Sequence, residues 1–490
     1  MVDTAVDAMY RPPMLIGGET VRPDRERRVY FSPATGAPTT EILVGTAQDI
    51  NAAVEAARRA ATEVASLGLD ARAQLCEETA RDIEEHAQAI ARVVTRVHGK
   101  PLHSEALGEV LGSAGAFRQA GQQARWLSVS HYPLSTPRKR LLAVRRPRGV
   151  YGVVTPWNFP LGVALMYYLG PGLAAGNAIV WVGAPTTSAA QWAVAEIIAR
   201  HWPKGALNMV TGDGPIVGQA LVGHPGVDAI GFTGSTPVGR EVARAAAGKP
   251  MMLELGGNGP TLVLDDADVE RAAACIAGGS FTNAGQICTA TGRILASDRV
   301  AGPLAEAIAA HASSLVLGDP EDERTTLGPV HLASQADRVL QQVRAAADAG
   351  AVVVTGGARR EDAPTRHYVQ PTVVDRVPGG AALHCEESFG PVAPIIRFAS
   401  DAEMWRLVAA SNFGLFGAVF SRDVERAIEV AEQLRCGHVN INDASSFWEI
   451  SIPAGGAAGS DSGVGRAGGP WSVAEMTEVF TMTVESGRGG

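Results

Sequence analysis

Cysteine is scarce in this chain, with five residues among 490. They are Cys76, Cys275, Cys288, Cys385 and Cys436. An odd, sparse set without CxxC spacing predicts neither a disulfide framework nor a zinc site. The stretch His384-Cys-Glu-Glu387 lacks a second ligand cluster, so we expect no metal. A reducing compartment, the cytoplasm, is the expected location.

The sequence also lacks an excess of basic charge and a long apolar run. Its 42 basic and 51 acidic residues give a net charge of −9, which argues against a nucleic-acid partner. The basic stretch from Arg138 to Arg148 alternates with Leu and Val and predicts an exposed strand. Prolines and glycines interrupt the uncharged stretch between Arg148 and Glu196, so no membrane helix is expected. The first residues show no secretion signal.

Turns and apolar residues are abundant: the chain has 56 Gly, 29 Pro and 46% hydrophobic residues. This composition is typical of a turn-rich globular protein, and the length predicts two or three domains.

Short β-branched runs alternate with helical patterns from Gly149 onward, which predicts a parallel, doubly wound sheet. The predicted strands are Val150–Val154, Ala178–Val182, Leu207–Val210, Ala229–Phe232 and Met251–Leu255. The predicted helices between them are Ala189–His201 and Val238–Ala247. Earlier, the spacing predicts helices at Asp49–Ala65, Ala71–Arg96 and Leu102–Leu127.

A second alternation follows the turn-forming cluster Gly256 to Pro260, which we interpret as a domain boundary. Its predicted elements are Thr261–Leu264, Asp268–Thr282, Arg293–Ala296, Val300–Ser314 and Gln335–Gly350. Met476–Val484 alternates like an edge strand. The fold class is therefore α/β, with two doubly wound domains and a small β extension.

Two glycine-rich turns are candidate phosphate sites. Gly212 to Gly218 joins a strand to a helix, but its spacing is one residue longer than the dinucleotide fingerprint, so an ordinary tight turn stays open. In Phe232 to Gly239, Ser235 is placed to cap a helix whose free N–H groups suit a pyrophosphate; a plain capped helix is the alternative.

Three polar residues are candidates for chemistry. Cys288 lies in a polar turn of small residues, whereas Cys76, Cys275 and Cys436 are expected to be buried fillers. Glu254 ends a buried strand, where it is either a general base of raised pKa or a structural acid in a salt bridge. Asn158 follows a strand and either donates to developing negative charge or stabilises a turn.

The ordered motifs TPWNFP, FTGS, ELGG, GQIC and EESFGPV, which run from Thr155 to Val392, resemble the aldehyde dehydrogenase superfamily. The resemblance implies a Rossmann-like nicotinamide-cofactor domain from 1–130 and 150–257 and a catalytic domain bearing the thiol at 258–456. It also implies oligomerisation strands at 131–149 and 472–490, in a homodimer or homotetramer.

The resemblance implies that Cys288 attacks the aldehyde, that Asn158 holds the oxyanion, and that Glu254 activates the water that hydrolyses the thioester. Hydride passes to NAD(P). The implied cofactor contacts are Thr155, Pro156, Trp157, Gly212, Phe232, Gly234, Ser235, Val238, Leu255, Gly256, Glu387 and Phe389. A relative that transfers the acyl group to coenzyme A and a non-catalytic scaffold are the alternatives; Glu254 argues against the first.

The sequence departs from the family pattern at several positions. Val182 and Pro185 replace a usual Lys and Glu, which favours NAD over NADP but leaves both open. Ala454 replaces a usual Phe, and Tyr167 and Tyr168 fall near a usual Lys. The predicted substrate pocket is Tyr167, Tyr168, Ile287, Thr289, Phe447 and Trp448.

This pocket suggests an aromatic or medium aliphatic aldehyde. A semialdehyde stays open, because Arg118, Arg125 or Arg293 would serve its carboxylate if one of them approached the tunnel.

Overall fold

The structure is a computed structural model that describes residues 9–127, 130–132, 134–136 and 138–485. Parts of three predicted segments therefore lie outside the described residues: 1–8 and 128–129 of the cofactor domain, and 133, 137 and 486–490 of the oligomerisation strands. Among the described helices, none combines the length and the apolar character needed to cross a membrane.

The strands, in chain order, are β1 Met14–Ile16, β2 Glu19–Val21, β3 Arg27–Phe31, β4 Pro38–Leu43, β5 Ser130–Tyr132, β6 Lys139–Pro147, β7 Val150–Val154, β8 Ala178–Val182, β9 Leu207–Met209, β10 Ala229–Thr233, β11 Met251–Glu254, β12 Thr261–Val263, β13 Ile294–Ser297, β14 Val352–Thr355, β15 Thr372–Asp375, β16 Val392–Phe398, β17 Phe416–Phe420, β18 His438–Ile441, β19 Gly463–Val464 and β20 Thr477–Glu485.

The α-helices are α1 Ala47–Ser66, α2 Leu69–Glu85, α3 Ala87–His98, α4 Leu107–Ala124, α5 Gly170–Ala174, α6 Ser188–His201, α7 Gln219–Gly223, α8 Thr236–Ala245, α9 Val269–Phe281, α10 Asp298–Ser314, α11 Ala333–Asp348, α12 Ala382–Cys385, α13 Asp401–Val408, α14 Val424–Gln433 and α15 Gly469–Glu475.

The first sheet has the order β19-β11-β10-β7-β8-β9-β1-β2. Its five central strands are parallel, and β1, β2 and β19 add antiparallel edges. These five strands begin where the sequence predicts them and end within one residue of the predicted ends. They are buried on both faces, which explains their continuous apolar runs.

The second sheet has the order β14-β15-β16-β13-β12-β17-β18, and all its strands except β14 are parallel. The predicted doubly wound α/β class is therefore confirmed. Its parallel strands all lie inside the segment 258–456 that is predicted as the catalytic domain.

A third sheet, of order β20-β6-β5, is antiparallel and confirms the strand predicted between Arg138 and Arg148. In it, Arg146 pairs with Glu478 across the two long strands at 2.5 Å. β3 and β4 form a separate hairpin.

The single helix predicted at Ala71–Arg96 is wrong. The chain forms α2 and α3, which are separated at His86, where φ is −100° and ψ is 10°. The helix predicted at Leu102–Leu127 begins instead with a π-helical turn at Leu102–Ala106 that continues into α4. The wider turn changes which side chains of this segment face the interior.

Candidate active site

A cavity of about 1170 Å³ lies beyond the carboxyl ends of β7, β10 and β11, and residues of the segment 258–456 line its other side. Its wall carries Cys288, Glu254 and Asn158 together. This is where an open parallel sheet binds its ligands, because strand ends and helix starts converge there.

Cys288 is brought to this wall by a close approach of two backbone segments. A Cβ added at Gly257 would lie 1.9 Å from the carbonyl oxygen of Cys288, so only glycine fits after β11. Burial, assisted by the neighbouring charges of Glu254 and Glu387, raises the pKa of the Cys288 thiol to about 12. The thiolate therefore needs a proton acceptor or a nearby positive charge in order to form.

The Asn158 amide is tied to the loop that carries the thiol. Its Nδ2 donates to the carbonyl of Gln286 at 2.9 Å, two residues before Cys288. An amide nitrogen carries two hydrogens, so the second remains for a ligand in the cavity. The backbone carbonyl of Asn158 accepts hydrogen bonds from Lys100 Nζ at 3.2 Å and from Asn283 Nδ2 at 3.0 Å.

Glu254 is 3% exposed at the end of β11, and its Oε1 has no hydrogen-bond partner. Burial raises the pKa of this carboxyl well above its ordinary value, while the positive charge of Arg466 opposes that shift. The Arg466 guanidinium donates to the carbonyls of Gly456 and Gly465. A carboxylate of raised pKa with an oxygen that has no partner is a stronger base than an ordinary carboxylate.

The other end of the cavity fits a nucleotide. Glu387 Oε1 accepts from the Gly257 N–H at 2.9 Å, and a Cβ at Gly256 would come within 2.8 Å of its other oxygen. Burial raises the pKa of Glu387 to about 7. Gly234 and Ser235 line the same wall at the start of α8, where Ser235 makes no side-chain cap. The first N–H groups of α8 are thus left for an anion.

Aromatic rings back this cleft. Trp157 stacks on His331 with ring centres 4.7 Å apart and meets Phe389 edge-on at 5.6 Å. Phe389 holds a left-handed φ of 51°, which is uncommon for a bulky residue and marks a constrained site. Pro156 and Leu255 complete the predicted residues on this wall.

Four predicted cofactor contacts do not line the cavity. Thr155 accepts a hydrogen bond from Trp181 Nε1 at 2.8 Å, and Phe232 is buried against Gly234. Gly212 packs against the backbone of Gly45, where a Cβ would meet its nitrogen at 2.9 Å. Val238 is 43% exposed on α8. Any contact between these four and a nucleotide stays a prediction.

The turn after β8, which holds the departures from the family pattern, is closely packed. Val182 is buried, and Thr187 and Ser188 are fully buried with their hydroxyls directed to the Ala184 carbonyl. The half-buried Thr186 is bonded to His331 Nε2 at 2.8 Å. No basic side chain among these turn residues is available for a 2′-phosphate.

The substrate side of the cavity is aromatic. Tyr167 and Trp448 meet edge-on with ring centres 5.5 Å apart, and Ile287, Thr289 and Phe447 line the same space. Tyr168 is predicted here, but the structure places it in the core, fully buried, with its hydroxyl 2.8 Å from Thr233 Oγ1. Adjacent residues on a helical turn point in different directions, so only one of the two tyrosines faces the cavity.

The expectation of buried fillers is confirmed for Cys76 and wrong for Cys275, which is half-buried and lines the cavity. Cys436 is half-buried against the core of the second sheet. The alternative that an arginine serves a semialdehyde carboxylate finds no support. None of the three candidate arginines reaches the tunnel. Arg118 pairs with Glu84 at 2.7 Å and Arg125 with Asp70 at 2.9 Å. Arg293 is buried, and its hydrogen bonds go to the carbonyls of Leu407 and Val408.

Sequence reasoning missed the residues that support this site. Lys100 and Glu109 form a buried ion pair at 2.6 Å beneath Asn158, and Asn283 bridges Asn158 to the thiol loop. The sequence signal was a single lysine between Gly99 and Pro101 after an amphipathic helix, because a lysine buried in such a place needs an acidic partner.

Comparison with known proteins agrees with this geometry. The model of the aldehyde dehydrogenase family matches residues 21–482. A benzaldehyde dehydrogenase (NAD(+)) of Pseudomonas putida is 37% identical over 439 residues, covering 89% of this chain and 88% of the relative. A succinate-semialdehyde dehydrogenase (NADP(+)) of Escherichia coli strain K12 is 33% identical over 480 residues, covering 97% and 98%.

A crystal structure of an aldehyde dehydrogenase from Brucella melitensis biovar abortus 2308 superposes with a TM-score of 0.94 at 29% identity and covers 100% of both chains. The matches in sequence and in structure therefore extend over nearly all of the chain. The chain belongs to the aldehyde dehydrogenase family and is an oxidoreductase that acts on aldehydes.

Proposed function

We propose that the protein oxidises an uncharged aldehyde to the carboxylic acid through a covalent intermediate on Cys288. The observation that carries this proposal is the placing of Cys288, Asn158 and Glu254 on the wall of one cavity. The Cys288 thiol gives its proton to solvent in the cavity, its sulfur bonds to the carbonyl carbon, and the carbon–oxygen π bond opens to leave an oxyanion. The Asn158 amide and the Cys288 N–H donate to that oxygen.

The second half of the reaction is hydrolysis. Loss of hydride converts the thiohemiacetal to a thioester, and Glu254 takes a proton from the attacking water. The water oxygen bonds to the acyl carbon, the carbon–sulfur bond breaks, and the acid leaves with Cys288 restored. Transfer to coenzyme A needs no such base, so a buried Glu254 with a free oxygen favours water as the acceptor.

NAD or NADP fits the cleft between Glu387 and α8, and a nicotinamide bound there supplies the hydride acceptor. Glu387 would hold ribose hydroxyls, while Gly234, Ser235 and the first N–H groups of α8 would face the pyrophosphate. NAD is favoured because Val182 and Pro185 give a 2′-phosphate no cationic partner.

The charges on the cavity wall argue against an anionic aldehyde. Among the described residues on the cavity wall, Arg338 is the one Lys or Arg, and it donates to the carbonyls of Glu387 and Ser388 on the cofactor side. Asp443 and Glu449 line the tunnel side. A carboxylate-bearing semialdehyde would therefore meet like charge without a clamp, whereas an aromatic or medium aliphatic aldehyde packs against Tyr167 and Trp448.

The remaining assignments concern organisation. The first sheet, apart from its edge strand β19, belongs to the cofactor domain at 1–130 and 150–257, and the second sheet belongs to the catalytic domain at 258–456. The exposed apolar residues Val479, Phe480 and Met482 on β20 support a role of 131–149 and 472–490 in joining subunits of a dimer or tetramer. The five free cysteines suit the cytoplasm.

A steady-state screen tests the proposal. Benzaldehyde, hexanal, succinate semialdehyde and an aminoaldehyde would each be supplied with NAD and with NADP, and free acid and reduced cofactor measured. We expect the two uncharged aldehydes to give the highest kcat/KM, with NAD preferred, and Cys288→Ser to abolish turnover while cofactor affinity changes less than about threefold. Turnover by Cys288→Ser, or acyl-CoA in place of free acid when CoA is added, would contradict the proposal.

A further inference from the structure

A cluster of buried charges lies directly beneath the two loops that carry Asn158 and Cys288. It consists of Lys100, Glu105 and Glu109, which we call the charge cluster. Lys100 and Glu109 are 2% and 7% exposed. The Oε2 atom of Glu105 is sealed from solvent and has no hydrogen-bond partner. Buried carboxylates without a task are costly, so this arrangement calls for an explanation.

The Lys100–Glu109 pair holds the oxyanion loop. Lys100 Nζ donates to the Asn158 carbonyl at 3.2 Å and lies 3.9 Å from the centre of the Phe159 ring. Glu109 Oε1 accepts from the N–H groups of Leu161 and Gly162 at 3.0 and 2.9 Å. One ion pair therefore holds the backbone from the Asn158 carbonyl to the Gly162 N–H.

Glu105 holds the thiol loop. Its Oε1 accepts from the Asn283 N–H at 2.8 Å. Asn283, Ala284 and Gly285 all adopt left-handed φ values, of 53°, 52° and 69°. Two of these residues carry a Cβ, and consecutive left-handed conformations persist only when contacts outside the turn impose them.

The turn connects the two loops. Asn283 Nδ2 donates to the Asn158 carbonyl at 3.0 Å and to the Gln286 carbonyl at 3.2 Å, and Gln286 is the acceptor for the Asn158 amide. Displacement of Asn283 would therefore remove a hydrogen bond from the loop that carries Asn158 and another from the loop that carries Cys288. Glu105, which lies on the π-helical turn Leu102–Ala106 and on neither of the two loops, also binds this turn through its side chain.

We propose that Glu105 is a positioning residue: its carboxylate holds the turn at residues 283–285 and thereby fixes the Asn158 amide against the loop that carries Cys288. This inference rests on the proposed function, because it assigns Glu105 an effect on the thiohemiacetal step. It assigns no effect on cofactor binding, since Glu105 does not line the cavity.

Three substitutions at Glu105 separate its possible roles. Glu105→Ala removes the acceptor, Glu105→Asp keeps the charge but withdraws the oxygen by one methylene, and Glu105→Gln keeps an oxygen at the same place without the charge. Ser104→Ala, on the exposed face of the same π-helical turn, is the matched control. Each variant would be assayed for kcat, for KM of aldehyde and NAD, and for thermal midpoint.

We expect Glu105→Ala and Glu105→Asp to lower kcat about 10- to 100-fold, the effect of a small misplacement of reacting groups. KM for NAD should change less than about twofold, and Glu105→Gln should restore kcat to within about threefold of wild type. The control should match wild type. The positioning role is contradicted if Glu105→Asp keeps full kcat, if Glu105→Gln is as slow as Glu105→Ala, or if KM for NAD rises in step with the loss of kcat.

If Glu105→Ala fails to fold, the kcat of Glu105→Asp relative to wild type still tests the positioning role. Failure of the proposed function is recognised separately, because wild type itself would then oxidise none of the aldehydes in the screen.

Discussion

The two sides of the cavity are built differently. Around Cys288 the backbone decides the geometry: Gly257 leaves no room for a Cβ, Gly285 would place one 2.0 Å from the Gly390 carbonyl, and Asn158 is held from both ends. In the tunnel, side chains decide it, through the edge-on pair of Tyr167 and Trp448. Changes near the thiol should therefore affect rate and folding, whereas changes in the tunnel should affect substrate choice.

The largest effect is expected at Gly257. In Gly257→Ala the new Cβ would lie 1.9 Å from the Cys288 carbonyl, so one of the two backbones must move. We expect kcat to fall more than about 10²-fold and the thermal midpoint to fall as well. Gly115→Ala is the control, since nothing lies within 4 Å of the new Cβ on α4, where alanine stabilises a helix by about 0.5–1 kcal/mol. An active, stable Gly257→Ala enzyme would show that the thiol side tolerates backbone change.

Asn158→Ala should come next. Loss of one oxyanion donor lowers kcat by about 10²–10³-fold, and affinity for NAD should stay within about threefold of wild type. Stopped-flow measurement of the first turnover would place the loss in the chemical step. Asn51→Ala on the exposed face of α1 controls for removal of an amide. If Asn158→Ala affected only KM for the aldehyde, the amide would be a binding group and not an oxyanion donor.

The smallest effect is expected in the tunnel. Trp448→Ala should raise KM for benzaldehyde about tenfold, equivalent to about 1.4 kcal/mol, while kcat changes less than about threefold. KM for acetaldehyde should scarcely change, because so small a substrate does not need the aromatic wall. Trp126→Ala is the control, as Trp126 is 83% exposed. A large fall in kcat of Trp448→Ala would contradict the proposed distinction between the thiol side and the tunnel side of the cavity.

The same distinction explains what the sequence could predict. The strands of the first sheet follow from short, mostly apolar runs, and strand ends near Thr155, Phe232 and Glu254 place the motifs at one edge of the sheet. The hydrophobic periodicity does not predict the break between α2 and α3 at His86, and no Pro or Gly at that position indicates it. A helical pattern is present on both sides of His86, in α2 and in the twelve-residue α3.

The sequence does not determine which side chains of the site face the cavity. Tyr167 and Tyr168 are equivalent by composition, and only the packing of Tyr168 over Gly231 assigns it to the core. In the sequence Cys275 is indistinguishable from a buried cysteine, whereas in the structure α9 places it on the cavity wall. The charge cluster joins residues 100–109 to loops at 158–162 and 283–286, and contacts over such separations leave no local pattern.

The most direct test of the account is the mass of Cys288 during turnover. Glu254→Gln removes the base for hydrolysis while leaving the thiol and the oxyanion donors in place. After incubation with benzaldehyde and NAD, we expect fragment masses to place a benzoyl group on Cys288 and none on Cys275, the other thiol on the cavity wall. Wild type should show no adduct once NAD is consumed. An unmodified Cys288, or an acyl group on Cys275, would contradict the account.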